Sequence, residues 1–105
     1  MTKTVEKVHP YATEIRSLMR TLKRHGFAPV SVNDGETYEK VENQSQAVDI
    51  ILSVDESWLR VKHENGKRAT VFIVLGNDPG EAVCDHHDWD PLTVAVSEHY
   101  DRWSE

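Results

Sequence analysis

Cysteine occurs once, at Cys84, so no disulfide can form within the chain and nothing in it calls for an oxidising compartment. No apolar run reaches the roughly 18–20 residues that a spanning helix needs. The longest, Ala69-Thr70-Val71-Phe72-Ile73-Val74-Leu75, has the length of a strand. Residues 1–7 lack the apolar core of a signal peptide. The expectation from these absences is a cytoplasmic protein with no membrane partner. Repeats and low-complexity linkers are also missing, and 105 residues are too few for two independent cores. A single domain over residues 1–105 is expected, with residues 1–8 flexible.

Cationic charge is scarce overall: 12 Lys and Arg face 18 Asp and Glu, a net charge of −6. It is also unevenly spread. Residues 1–26 hold six Lys/Arg against two Glu, whereas residues 77–105 hold eight Asp/Glu against one Arg. Phosphate neutralisation by Lys and Arg supplies most nucleic-acid affinity, so a chain this acidic is expected to bind proteins rather than nucleic acid. The one basic stripe, Arg16, Arg20, Lys23 and Arg24 with Lys3 and Lys7, leaves nucleic-acid contact through the first helix as an alternative. Such a stripe is more often the solvated side of an amphipathic helix.

What is present is clear periodicity. His9-Pro10 opens a helix whose Ile15, Leu18, Met19 and Leu22 share one face, and His25-Gly26 stops it. Phe27 to Val32 alternates weakly and reads as a strand. Asn33-Asp34-Gly35-Glu36 is a hairpin turn that returns through Thr37–Val41. Ser45–Ser53 reads as a short helix capped by Asn43 or Ser45. Ser57–His63 alternates cleanly, with Leu59, Val61 and His63 on one face and Trp58, Arg60 and Lys62 on the other. Asn65-Gly66 marks a second hairpin into the Ala69–Leu75 strand, apolar on both faces and therefore expected inside the sheet. Gly76–Gly80 is a loop, Glu81–Asp85 a short fifth strand, and Asp90-Pro91 the N-cap and first residue of a closing helix. Its apolar stripe is Leu92, Ala95, Val96, His99 and Trp103. The fold class is α+β: an antiparallel sheet of four to five strands from two hairpins, with N-terminal, middle and C-terminal helices, covered on one face.

Chemistry-bearing residues concentrate at Cys84-Asp85-His86-His87-Asp88-Trp89-Asp90. Asp85, His86, His87 and Asp88 are candidate ligands for a transition metal, with His63 or His99 to complete a set. Adjacent residues rarely converge on one ion, because neighbouring side chains on an extended backbone point apart. A solvated loop leading into a helix is the competing account, and no cofactor is expected. The Asp85-His86-His87 triplet also spells the signature of the Asp-His-His phosphoesterases. Those enzymes are far longer and use further aspartates that are missing here, so that reading is rejected. Cys84 beside His86 or His87 lacks a group to orient the imidazole and reads as a small buried hydrophobe. Gly76–Gly80 lacks the Gly-Lys-Ser/Thr ending of a phosphate loop. No catalytic set emerges, and the chain is expected not to be an enzyme.

Trp58 lies opposite Leu59 and Val61, so it stays exposed unless the second sheet face is covered. With Tyr38 and Arg60, and with Trp89, it is a candidate partner-binding residue. A homodimer through that face is one expectation.

The stretch from Val30 to Asp88 resembles a set of small uncharacterised proteins encoded by phages and prophages. The likeness is carried by Ser31-Val32-Asn33-Asp34-Gly35-Glu36, by Leu59-Arg60-Val61 before Asn65-Gly66-Lys67-Arg68, and by Val71–Asn77 followed by Glu81-Ala82-Val83 and Asp85. It implies a phage or mobile-element origin and no particular activity. Those proteins carry a tyrosine and other polar residues where this chain has His86-His87, which argues against a shared metal site. The function expected is a non-catalytic, acidic accessory protein that binds a protein partner.

Overall fold

The computed structural model describes residues 11–75 and 82–103, and the side chain of Trp103 lies outside that description. Expectations placed on residues 1–10, including the His9-Pro10 helix start and the flexible terminus, fall outside the described residues. So do the Gly76–Gly80 loop and the burial of Trp103.

The elements run α1 (Ala12–Arg24), β1 (Phe27–Asn33), β2 (Tyr38–Lys40), α2 (Gln44–Leu52), β3 (Glu56–His63), β4 (Arg68–Val74), β5 (Val83–His86) and α3 (Asp90–Trp103). The strands form one antiparallel sheet in the order β2-β1-β3-β4-β5. The α+β class, the two hairpins and the three helix positions are as the periodicity predicts. β4 lies inside the sheet, paired on both sides.

All three helices bury their apolar stripes against one sheet face. Ile15, Leu18, Met19 and Leu22 of α1 join Ala47, Val48 and Ile51 of α2 and Leu92, Ala95 and Val96 of α3 in a single core. Beneath them lie Val32, Leu59, Val61, Val71 and Ile73 from the sheet. Each such aliphatic side chain contributes about 1.5–3 kcal/mol by leaving water, so this layer is the main source of stability.

Termini follow local chemistry. Gly26 takes φ +87° just past α1, a conformation that L side chains rarely adopt. Asn43 caps α2 by accepting from the Gln46 amide at 2.9 Å, while the Gln46 side chain accepts from the Glu42 amide. α3 begins at Asp90 itself, the Trp89 carbonyl accepting from Thr93 N–H, so Asp90 is the first helical residue rather than the cap.

Two further corrections concern strands. β2 is shorter than Thr37–Val41, because the Asn33–Thr37 turn takes up Thr37: the Asp34 amide donates to its carbonyl and the Asp34 carboxylate accepts from its amide. Cys84 is exposed rather than buried. The β4–β5 register pairs Phe72 with Asp85 and Ile73 with Val83, leaving Cys84 as the extra residue of a bulge, turned outward.

Candidate functional site

Among the described residues, no element covers the sheet face opposite the helices. Its composition follows from strand alternation and one irregularity. In β1, Pro29 pairs with Val61 but Ser31 pairs with Arg60, so Val30 is an extra residue. Proline, without an N–H, is suited to such a break in the ladder. The bulge switches the side-chain phase of the strand: Phe27 and Val32 both enter the core, and Ser31 and Asn33 are placed on the open face. The weak alternation of Phe27–Val32 in the sequence is this bulge.

Cross-strand pairing then lays out two rows on the open face. The first passes from Tyr38 through Asn33, Trp58 and Phe72 to Asp85, one residue per strand. The second, two residues along, passes from Lys40 through Ser31 and Arg60 to Thr70, whose carbonyl accepts from the His87 amide. Trp58 and Phe72 stack, with ring centroids 4.9 Å apart and planes at 25°. Trp58 is 38% and Tyr38 52% exposed, which makes them two of the few large apolar side chains so open to solvent. Exposed aromatics grouped in this way mark interaction surfaces.

Tyr38, Asn33, Trp58, Arg60 and Thr70 wall a depression of about 410 Å³, and Ser31 belongs to its lining. Ser31 is 1% exposed, and its hydroxyl has no hydrogen-bond partner. A buried hydroxyl in that state costs roughly 1–3 kcal/mol relative to a satisfied one. Gly35, at φ +99°, forms the rim: a Cβ there would stand 4.0 Å from the Trp58 ring. The turn is locked by Asp34, whose carboxyl is held below its ordinary value by hydrogen bonds from the Thr37 and Glu36 amides.

The structure thus brings Tyr38, Trp58 and Arg60 together and adds Ser31, Asn33, Thr70 and Phe72. It does not bring in Trp89. That ring packs edge-on against Phe27 and His63 at 5.9 and 5.3 Å, beneath the Lys67 ammonium at 4.8 Å. It closes one end of the core instead. Phe72 was legible only as half of an apolar strand; its partner on the far face becomes identifiable once Asn65-Gly66 fixes the β3–β4 register.

The acidic-histidine cluster lies at the edge of the same face. Asp85, His86 and His87 border a neighbouring depression of about 330 Å³ with Trp58, Thr70 and Phe72. Asp85 accepts from the His86 amide at 2.8 Å, and His86 Nδ1 lies 2.9 Å from the His87 carbonyl. Asp88 is exposed in the segment that follows. Among the described residues, no three His, Cys, Asp or Glu side chains are grouped to hold a metal ion. Nor is any helix there long and apolar enough to cross a membrane.

The basic stripe of α1 is exposed as predicted, but Arg24 is engaged. Together with His25 and Arg102 it contacts Glu98 of α3. Comparison with known proteins places no relative beside this geometry: no protein family, curated protein or solved structure matches the chain.

Proposed function

We propose that this protein is a non-catalytic accessory domain that works by binding another macromolecule on the open face of its sheet. The observation that carries the reading is the stacked Trp58–Phe72 pair beside Tyr38, standing in solvent on strands whose other face is a packed core. Rigid strands fix these rings at little entropic cost, which is what a binding surface requires. An origin in a phage or other mobile element, and action in the cytoplasm, belong to the same proposal. A metal at Asp85–Asp88 is not favoured, because the side chains are not grouped as ligands.

The test is capture from lysate with three immobilised proteins: the native chain, a Trp58→Glu/Arg60→Glu variant and an Arg16→Glu/Arg20→Glu variant. Partners held by the native chain and by the helix variant, but lost from the sheet variant, support the reading. Partners retained by the sheet variant overturn it.

A further inference from the structure

The open face is far more cationic than the molecule. Lys40, Arg60, Lys62 and Arg68 all project from it, the last two paired across the β3–β4 hairpin. All four are exposed, and none forms an ion pair among the described residues. Within the strands the carboxylates of the face are Glu56 and Asp85, which lie away from these cations, while Glu42 and Glu64 stand beside them just past the strand ends. Glu56 pairs with Val74 beyond the aromatic row, and Asp85 ends that row at β5. Lys40, Lys62 and Arg68 line one shallow depression together with Glu42 and Glu64. The face is therefore ordered: a row of rings crosses the strands, and the cations lie along one side of it only.

Resting on the open-face reading above, we infer that this surface is a platform for single-stranded nucleic acid, with bases on the Tyr38–Trp58–Phe72 row and phosphates along the Lys40–Arg60–Lys62–Arg68 side. Two observations point to that occupant rather than a protein segment. First, Lys40, Arg60, Lys62 and Arg68 lie along one flank of the rings, and a phosphate backbone neutralises such a line continuously. Second, the depression between Tyr38, Trp58 and Arg60 ends on the buried, unpartnered Ser31 hydroxyl. A planar base seated there offers ring acceptors and donors at its edge, while the Tyr38 ring and the Trp58 face not covered by Phe72 remain for stacking. The net charge of −6, with Asp85 at the β5 edge of the face, weakens the long-range attraction. At physiological salt, screening over about 8–10 Å leaves the local cations to decide the encounter.

The experiment is fluorescence anisotropy with a dye-labelled oligothymidylate of about 15 nucleotides, a length comparable to the larger sites of single-strand-binding domains, and with a duplex of equal length, across a salt series. The expected result is binding to the single strand in preference to the duplex, weakening as salt rises. Trp58→Ala lowers affinity roughly 5- to 150-fold, the range corresponding to about 1–3 kcal/mol per stacked base. Arg60→Gln, an exposed change that leaves the core untouched, flattens the salt slope by about 0.7. Arg16→Gln/Arg20→Gln on α1 changes neither. No binding of the native chain at low salt overturns the inference, as does equal affinity for duplex, or loss in the α1 variant alone. If the oligonucleotide fails while a protein partner, or a second copy seen as a concentration-dependent mass, is lost with Trp58→Ala, the platform falls and the open-face reading stands. If the sheet variants alter no binding of any kind, both fall.

Discussion

Asp34 shows how one exposed side chain sets the shape of the site. Its carboxylate accepts from the Glu36 and Thr37 amides at 2.9 and 2.8 Å, and these bonds hold its titration below the ordinary 3.8. Because the folded value is depressed, the stabilisation is complete above pH 3.8 and disappears as pH falls through the lowered value. Asp34→Asn therefore melts at a lower temperature than the native chain at neutral pH, and the gap closes in strong acid. Equal melting temperatures at neutral pH would show that the turn does not depend on this charge. Gly26 makes a complementary case. At φ +87° any side chain is strained, and a Cβ would meet the Glu64 carboxyl group at 3.0 Å. Gly26→Ala should lower stability by about 1–2 kcal/mol in urea unfolding, more than glycine's usual handicap in reverse.

At the scale of elements, α1 and α3 are joined by a buried polar contact that periodicity did not reveal. Glu14 is 1% exposed; its Oε2 accepts from the Ala82 amide at 3.2 Å and lies 3.5 Å from His99 Nε2, itself fully buried. Glu14 falls on the stripe of Ile15 and Leu18, where sequence alone reads a polar residue as a face boundary. Only the packing of α3 and the chain before β5 shows why an acid is there. Glu14→Met removes the acceptor of the Ala82 amide and the carboxylate beside the imidazole, and should cost about 3 kcal/mol; Glu14→Met/His99→Leu should recover part of that loss. A double-mutant cycle in denaturant measures it, and additive single losses would mean the two side chains are not coupled. Elements themselves were legible where one signal dominated: Asn65-Gly66 for the β3–β4 hairpin, the i, i+3, i+4, i+7 stripe for α1. The site was half legible. Trp58 and Tyr38 followed from alternation, but the β1 bulge placing Ser31 beside them, and the packing of Trp89 onto Phe27, depend on contacts that no local pattern encodes. α2 is a simpler case, its start set by the Asn43 cap. Asn43→Ala should cost about 1 kcal/mol, with Asn43→Ser nearly neutral.

Over the whole molecule, net charge and local charge point in opposite directions, and the difference is measurable without any ligand. A chain of charge −6 should repel an anionic quencher and attract a cationic one. Trp58, however, stands 38% exposed in a row flanked by Lys40 and Arg60, with Asp85 two strands away at the end of the row. Trp89 is half-buried against Phe27 and His63, so less of its ring meets solvent. The fluorescence component that Trp58→Phe removes should therefore be quenched more strongly by iodide than by caesium, despite the acidity of the molecule. Adding inert salt should shrink the preference as the screening length falls from about 30 Å at 0.01 M to about 10 Å at 0.1 M. Stronger quenching by caesium at low salt would mean that the global field governs the sheet face. The cations beside the aromatic row would then be too dilute to gather phosphate, and the face would have to select its partner by shape and apolar contact alone.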